Sequence, residues 1–391
     1  MQVIRAGRLI DGTGAEVQRD RALYVEDGRI VEVRPGSQTP TNGEVLDLSQ
    51  LTVLPGLFDL HVHLVFSAGE RPLRDVEVES DQRLLLRAVA AARQALSAGV
   101  TTVRDLGGRG DVTFVLRDAI NDGLLSGPRV LAAGSPITIT GGHCHFLGLE
   151  ADGEVAVRAA ARRQLKAGAN CLKIMSTGGR MTPGTNINVA QYSVAEIAAA
   201  VEEARRRHVT IAAHSLGVAG LRNAVAAGVD TIEHFNWLDA EGGVEFDPDV
   251  ARQMVRQGTG AVLTLVPLRR ASAELRAQIV GAMREAFSLG VMVLAGTDAG
   301  VALTPFDSLP RELELMVTEI GLTPTQAIVA ATSAPARVLG LSDEVGTLAP
   351  GQMADLLAVE GDPSQQIEDL RRVRLVLQAG QTVVQDGVVV R

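Results

Sequence analysis

A chain of 391 residues with a formal net charge of −9 is a poor partner for nucleic acid, and no stretch rich in lysine and arginine offsets that charge. Its two cysteines are too few for a disulfide framework, which fits a reducing compartment. Neither the start of the chain nor any later stretch has the continuous apolar run of a signal peptide or a membrane span. We therefore expect a cytoplasmic protein that acts on a small-molecule substrate, without a nucleic-acid or membrane partner.

The length and the two ends of the chain predict a small domain attached to a large one. The length suits an α/β barrel of about 250 residues with an appendage. Short apolar runs near the N-terminus are separated by turn signals at Asp11-Gly12 and Asp27-Gly28, and similar runs and turns return near the C-terminus. Both ends therefore predict strands, and we expect residues 1–54 and 346–391 to form one small β-sandwich domain.

The middle of the chain, residues 55–345, repeats a unit in which a helix ends at glycine and a buried strand follows at once. Ala98-Gly99-Val100 before the run 102–105 is one example, and Ala167-Gly168-Ala169 before the run 172–174 is another. Apolar runs without alternation are typical of parallel strands that are covered on both faces. Eight such strands are predicted, beginning near Leu57, Thr102, Val130, Leu172, Val209, Ile232, Val262 and Leu294. Connecting helices such as 84–98 and 194–207 complete a (β/α)8 TIM barrel of the α/β class.

Polar residues with metal-ligand chemistry stand where these apolar strands stop. They are His61, His63, Lys173, His214, His234 and Asp298. In a barrel all carboxyl ends of the strands meet on one face, and residues two apart on a strand share a side. A single strand-end histidine is more often structural, but six such residues on five strands indicate a metal site, because imidazole and carboxylate are ligands that Zn²⁺ prefers.

Lys173 is one of only two lysines among 37 basic residues. It lies in the apolar run Cys171-Leu172-Lys173-Ile174-Met175, where an unpaired ammonium is costly. An amine can lose its proton and react with carbon dioxide to give a carbamate, whereas a guanidinium keeps its charge. We predict that Lys173 is an N6-carboxylysine that ligates metal. The alternative is a lysine that merely lines a one-metal site.

The chain resembles the metal-dependent amidohydrolase superfamily over essentially its whole length. Pro55-Gly56-Leu57-Phe58-Asp59-Leu60-His61-Val62-His63 is similar to the first-strand signature of that superfamily, and the run 346–355 is similar to its return into the β domain. Within it, the chain is most similar to the imidazolonepropionase-related and Xaa-Pro dipeptidase (prolidase)-like branch. The stretches that carry this resemblance are 140–143, 173 with 176–179, 191–193 and 232–234.

The resemblance implies a binuclear hydrolase with two divalent ions, zinc first among them, and with carbon dioxide or bicarbonate needed for the lysine. His61, His63 and Asp298 would hold one ion, His214 and His234 the other, and carboxylated Lys173 would bridge both. A bridging hydroxide would attack an amide-type C–N bond, with Asp298 as general base and then acid. A peptide-like or N-acyl amino acid substrate is our first choice. The alternatives are a cyclic amide, carbamate or lactone, a single metal, and a non-enzymatic scaffold, which the complete ligand set disfavours. Large barrels of this kind often form homo-oligomers.

Several loop residues are candidates for substrate contact. His143 and His145 follow the third strand, and three interpretations compete: a third metal site, a loop without a role, or substrate binding. The resemblance implies that His143 reaches the substrate carbonyl or the oxyanion, a role that hydrogen-bond donors fill. Cys144 is expected to point away from the site if its two neighbours point inward.

The chain departs from the dipeptidase pattern after its fifth strand. Relatives carry Tyr two residues after the fifth-strand histidine, whereas the run here is His214-Ser215-Leu216. Tyr192 either replaces that donor or packs at the start of a helix. Arg180 either binds a substrate carboxylate through its planar fork or is a solvated loop residue. Trp237 either forms an apolar pocket wall or covers a strand end.

Overall fold

A computed structural model describes residues 1–39 and 44–390. In chain order the strands are β1 (Gln2–Leu9), β2 (Gln18–Glu26), β3 (Arg29–Pro35), β4 (Glu44–Pro55), β5 (Leu57–Val62), β6 (Val100–Asp105), β7 (Arg129–Ala132), β8 (Ile137–Thr138), β9 (Leu149–Glu150), β10 (Cys171–Met175), β11 (Thr210–Gly217), β12 (Thr231–Leu238), β13 (Gly260–Leu263), β14 (Val293–Ala295), β15 (Leu356–Val359), β16 (Val373–Gln378), β17 (Gln381–Gln385) and β18 (Val388–Val389). The α-helices are α1 (Pro72–Val78), α2 (Asp81–Ser97), α3 (Val112–Asn121), α4 (Gly153–Lys166), α5 (Val194–Arg206), α6 (Val218–Ala227), α7 (Pro248–Gln257), α8 (Leu265–Leu268), α9 (Ala273–Ser288), α10 (Leu309–Leu315), α11 (Pro324–Ala330) and α12 (Ser333–Val338). Short 3-10 segments lie at Gly36–Gln38 and Ile367–Arg371, and a π-helical turn at Met316–Ile320 follows α10.

The barrel predicted for the middle of the chain is confirmed. Strands β10 to β14 are parallel neighbours in order, and β5, β6 and β7 form a second parallel run. A parallel bridge between Val62 and Ala299 joins the first strand to the segment after the last. These strands are buried, apart from Arg129 and Leu131 of β7 and the first residue of β11, which are half-buried. Helices such as α4, α5 and α6 pack outside them, as the glycine-ended repeats predict.

The third barrel strand differs from the single run predicted from residue 130 to 137. It is broken into β7, which pairs with β6, and β8, which pairs with β10. Gly134 in the break has a left-handed φ of +70°, and Pro136 follows it, so neither residue suits a continuous ladder. After β8 the chain continues into the loop that carries His143.

The two ends of the chain meet in one sheet, as predicted. Its strand order is β18-β17-β16-β15-β4-β1-β2-β3, with β4 between a strand from each end. Ile4, Leu23, Val53, Leu356 and Leu377 belong to one buried cluster, so the sheet folds over its own apolar face as in a sandwich. The boundaries at 54/55 and 345/346 stay predictions, and residues 40–43 and 391, which the predicted domain includes, lie outside the described residues.

The junction between the two sheets positions the first barrel strand. Only Gly56 separates β4 from β5, and a Cβ atom at this glycine would lie 2.0 Å from the Thr101 hydroxyl oxygen, so only glycine fits. The chain therefore passes from the β domain directly into the strand that carries His61. Within the described ranges, no helix has both the length and the apolar content needed to cross a membrane.

Candidate metal centre

The six predicted ligands are brought together at one cavity. His61, Lys173, His214 and His234 lie on β5, β10, β11 and β12, while His63 and Asp298 follow β5 and β14 directly or after a short turn. All six line the same opening of about 180 Å³ at the carboxyl ends of the strands. The convergence expected of a parallel barrel therefore holds for every member of the set.

The imidazole rings form a continuous row across this cavity. The ring centroids are 5.3 Å apart for His63 and His61, 4.8 Å for His61 and His234, and 4.5 Å for His234 and His214. His143 extends the row, with its ring centroid 4.5 Å from that of His214. Histidines packed at this density would repel one another if protonated, so the row favours neutral rings.

Each of the four ligand histidines has one ring nitrogen next to a protein oxygen. The pairs are His61 Nδ1 and Glu233 Oε2 at 2.9 Å, His63 Nδ1 and Gly107 O at 3.2 Å, His214 Nε2 and Gly178 O at 3.1 Å, and His234 Nδ1 and Thr264 Oγ1 at 3.0 Å. The first pair is a close contact without the alignment of a hydrogen bond. Such partners fix ring orientation and leave the second nitrogen free for a metal.

Asp298 closes the first half of the site. Its Oδ1 lies 3.5 Å from His61 Nε2 and 3.3 Å from His63 Nε2, and the three side chains form a metal-ligand group whose donor atoms all lie within 4.8 Å of one another. Its backbone N–H donates to His61 O at 2.7 Å, and its φ of +56° is left-handed. Burial alone would raise the pKa of Asp298, but the neighbouring His61 and His63 hold it below its ordinary value, so the carboxylate is ionised.

Burial favours the neutral form of four histidines at this cavity, which are His61, His143, His214 and His234. It lowers the pKa of His61 and His214 well below the ordinary value, that of His234 to about 4 and that of His143 to about 3. Neutral imidazole is the form that binds a metal, so the lone pairs are available at neutral pH.

Lys173 is buried among these rings, with 1% of its surface exposed. Its Nζ has no hydrogen-bond partner within the described part of the chain. Burial lowers the pKa of the Lys173 amine to about 8, although Glu233 and Asp298 oppose the shift. A substantial neutral fraction is therefore present near neutral pH, and the neutral amine is the form that reacts with carbon dioxide.

The loop that carries His143 and His145 turns its residues differently from the alternation expected for it. Cys144 has a left-handed φ of +58°, is buried and lines the cavity, with its Sγ 3.5 Å from His143 Nε2. His145 is exposed and does not line the cavity. The structure thus places Cys144 in the cavity lining and His145 outside it, because this loop is a series of turns and not a strand. The condition for an outward Cys144, two inward neighbours, is not met, and the substrate contact of His145 stays a prediction.

Tyr192 and Trp237 also lie away from the cavity. The Tyr192 hydroxyl donates to Ala151 O at 2.8 Å and is buried beside helix α5. Trp237 is fully buried and packs edge-to-face against Phe235 and Phe246, with centroids 5.0 Å apart in both pairs. These contacts favour the packing alternative for both residues, because the Tyr192 hydroxyl has a backbone partner and the indole is enclosed by other aromatic rings. Their contact with substrate stays a prediction.

Arg180 does line the cavity, and it is accompanied by Arg270, which follows α8. Among the described residues, neither guanidinium has a hydrogen-bond or ion-pair partner. Burial and the nearby charge of Arg270 lower the pKa of Arg180 from its ordinary value, but both groups remain cations. This part of the cavity is therefore electropositive.

Supporting residues behind the ligands were not identified from the sequence. Asp59 accepts hydrogen bonds from His61 N, Thr297 N and the Thr297 hydroxyl, and so ties the first strand to the last. Gln191 accepts from His143 N and donates to Met175 O, which anchors the His143 loop to β10. Asp59 had a detectable signal, a carboxylate inside an apolar run. Gln191 had none beyond its place in a recognised motif.

Known proteins resemble this chain over most of its length. A family model described as the amidohydrolase family matches residues 52–388. Ochratoxinase from Aspergillus niger is 31% identical, covering 96% of this chain and 84% of that protein, and imidazolonepropionase from Rhizorhabdus wittichii is 27% identical, covering 88% and 89%. A crystal structure of a Xaa-Pro dipeptidase with bound methionine in the active site superposes with a TM-score of 0.88 at 32% identity, covering 97% of this chain and 99% of that one. These matches confirm the resemblance predicted from the motifs.

Proposed function

The chain belongs to the amidohydrolase family, and on that premise we propose that it is a binuclear metal-dependent hydrolase of an amide-type C–N bond in a peptide-like or N-acyl amino acid. The observation that carries the proposal is the meeting of His61, His63, Lys173, His214, His234 and Asp298 at one cavity. A non-enzymatic scaffold has no need of this complete donor set. Cytoplasmic location and assembly into homo-oligomers remain predictions.

The residues of the cavity fit two divalent ions. His61 Nε2, His63 Nε2 and an oxygen of Asp298 would hold one ion, because these atoms already lie close together. His214 Nδ1 and His234 Nε2 are the nitrogens left free for the other. Neutral nitrogen and anionic oxygen donors without thiolates suit zinc best.

Lys173 supplies the argument for two ions instead of one. A buried amine without a partner is unfavourable as a cation and has no evident function as a neutral group. Reaction of the amine with carbon dioxide forms an N–C bond and releases one proton, which gives a carbamate with two oxygens, enough to serve two ions. Carboxylation thus turns a buried amine, unpartnered among the described residues, into an anionic ligand in the lining of the same cavity.

The proposed chemistry divides between the ions and the chain. Two bound divalent ions would lower the pKa of a water so that hydroxide is available near neutral pH, and would polarise the substrate carbonyl. Asp298, held ionised beside the histidines, takes up the proton and passes it to the departing nitrogen. The bond between carbonyl carbon and nitrogen breaks, and the products are a carboxylic acid and an amine.

His143 and Arg180 would bind the substrate. The Thr182 hydroxyl oxygen accepts from Cys144 N at 2.9 Å and lies 2.9 Å from His143 Nδ1, so its own proton can bond Nδ1 and leave Nε2 protonated as a donor to the substrate carbonyl. Arg180, without an acidic partner, suits an α-carboxylate at the cavity mouth. The same feature favours a carboxylated amide over a neutral lactam or lactone.

The test combines metal analysis with a substrate screen. We expect about two zinc ions per chain after reconstitution with zinc and bicarbonate, and turnover of dipeptides or N-acyl amino acids. Lys173→Ala should lose bound metal and activity, and short carboxylic acids should restore part of both. Lys166→Ala, which changes the other lysine, is the matched control. One ion per chain in both proteins, with activity intact in Lys173→Ala, would contradict the binuclear assignment, and turnover of lactams alone would contradict the substrate class.

A further inference from the structure

Asn236 is a polar residue of the cavity that the ligand set does not explain. It is 5% exposed and lines the cavity together with His214 and His234. Within the described part of the chain, its carboxamide has no hydrogen-bond partner. Buried carboxamides are normally bonded to protein or water, so an unbonded one that faces a cavity indicates a partner that arrives with the ligand.

The backbone is distorted in a way that turns Asn236 toward the cavity. In the parallel register of β11 and β12, Ser215 pairs with His234 and Gly217 pairs with Leu238. One residue of β11, Leu216, therefore stands opposite the three residues 235–237. Such a bulge redirects side chains and is common beside active sites.

The bulge is held in an unfavourable conformation. His234, Phe235 and Trp237 have φ values of +70°, +56° and +59°, all in the left-handed region that favours glycine. Aromatic residues adopt this region rarely, and strain of this kind persists where the surrounding structure enforces it, often at functional sites. The enclosed side chains of Phe235 and Trp237 fix the two ends of the bulge, and Asn236 between them is the residue presented to the cavity.

We propose that Asn236 is a catalytic residue whose carboxamide N–H donates a hydrogen bond to the carbonyl oxygen of the scissile bond and to the oxyanion formed from it. Leu216, the residue level with it on β11, lines the cavity but offers no donor. His143 contacts His214, and Asn236 lines the same cavity two residues after His234 in the chain, so the cavity of the histidine pair has two candidate donors. Because none of the residues in 1–39 and 44–390 bonds the carboxamide, it is free to turn its N–H toward the oxygen. The assignment rests on the proposed function, since it concerns the same reacting carbonyl.

The experiment compares Asn236→Ala and Asn236→Leu with the wild-type zinc enzyme. Leucine has the branched shape and the number of side-chain heavy atoms of asparagine, although it is larger, and it cannot donate a hydrogen bond. Loss of one oxyanion donor should lower kcat by about 10²–10³-fold with KM within about threefold. The affinity for an N-phosphonyl analogue of the best substrate, measured by calorimetry, should fall by a similar factor, while zinc content stays unchanged. Asn121→Ala, on the exposed end of α3, is the matched control and should behave as wild type.

Two outcomes would overturn the assignment. One is kcat and phosphonate affinity within threefold of wild type in Asn236→Leu. The other is a rise in KM alone, or a loss of zinc, which would make Asn236 a ground-state contact or a positioning residue. Hydrolysis of p-nitrophenyl acetate separates this question from the proposed function, because the ester also forms an oxyanion. If the wild type cleaves the ester and no amide, the proposed function fails, while a loss of ester kcat in both Asn236 variants would still support the donor.

Discussion

A buried ion pair lies behind the first metal ligand, and its removal should separate folding from metal binding. Arg104 and Glu233 are both fully buried, with Arg104 Nη2 2.8 Å from Glu233 Oε1. The other oxygen of Glu233 lies 2.9 Å from His61 Nδ1. Arg104 also donates to Leu60 O at 2.8 Å and to the Thr231 hydroxyl at 3.1 Å. The carboxylate thus compensates a buried cation and orients a ligand at the same time.

Glu233→Gln removes the charge at nearly constant volume. Breaking a buried pair by neutralising one partner costs about 3–5 kcal/mol. Arg104 keeps its hydrogen bonds to Leu60 and Thr231, so we expect a cost at the lower end of this range. The unfolding free energy of the metal-free protein should fall by about 3 kcal/mol. Replacing the carboxylate next to His61 Nδ1 by a neutral carboxamide should lower metal affinity by about 10–100-fold, because an outer partner that orients a ligand is altered. That factor corresponds to about 1.4–2.8 kcal/mol at the site of His61.

Urea unfolding of the metal-free protein and zinc competition with a chromophoric chelator measure the two effects separately. The double variant Arg104→Met/Glu233→Met removes both charges and should recover most of the stability, because apolar replacement of a buried pair is often neutral. Its zinc affinity should remain low. Glu285→Gln, at an exposed position of α9, is the matched control. Zinc affinity within twofold of wild type in Glu233→Gln would refute the orienting role, and equal destabilisation in the single and double variants would refute the role of charge.

Three further changes address other parts of the molecule. Asp298→Asn should lower kcat by about 10²–10⁴-fold, and steady-state turnover equal to wild type would contradict its role in proton transfer. Arg180→Ala should raise KM for a substrate with a free carboxylate by about 10–100-fold and leave KM unchanged for the same substrate with that carboxylate replaced by a carboxamide. An equal rise in KM for both substrates would contradict carboxylate binding. Hydrogen bonds from Arg162 and Arg158 lower the pKa of Glu203 from 4.5 to about 2. The ionised carboxylate therefore stabilises the fold above pH 4.5, and this stabilisation is lost as the pH falls toward 2. Glu203→Gln should therefore cost about 1–2 kcal/mol at pH 7 and less at pH 3, and a urea midpoint difference independent of pH would contradict this.

The convergence of the proposed metal ligands was predictable from the sequence because strand geometry fixes it. His61, Lys173, His214 and His234 all end apolar runs, and parallel strands of a barrel bring such ends to one face whatever the loops do. The alternation of side chains along a strand also places His61 and His63 on one side. The third strand was the exception in this part of the fold, because Gly134 permits a break that an apolar run does not indicate.

The substrate-facing residues were predicted less well because loops have no period. Cys144 enters the cavity through a left-handed backbone angle, and His145 leaves it, opposite to strand alternation. Tyr192 was expected either to donate to the substrate or to pack at a helix start, and only its contact with Ala151 decides between them. Nothing in the sequence indicated that Asn236 lines the cavity, because its orientation depends on a bulge between two strands and not on its neighbours in the chain.

The two most deeply buried lysine and arginine side chains in the described part of the chain show why a lysine survives at position 173. Arg104 keeps its charge permanently, and the fold surrounds it with a carbonyl, a hydroxyl and a carboxylate. Lys173 is buried almost as completely and has no such partner among the described residues. A guanidinium there would be an uncompensated charge beside four imidazoles, whereas an amine can lose its proton or become a carbamate. Position 173 therefore suits a side chain that can be neutral or anionic. Of lysine and arginine, only lysine meets that requirement in this arginine-rich chain.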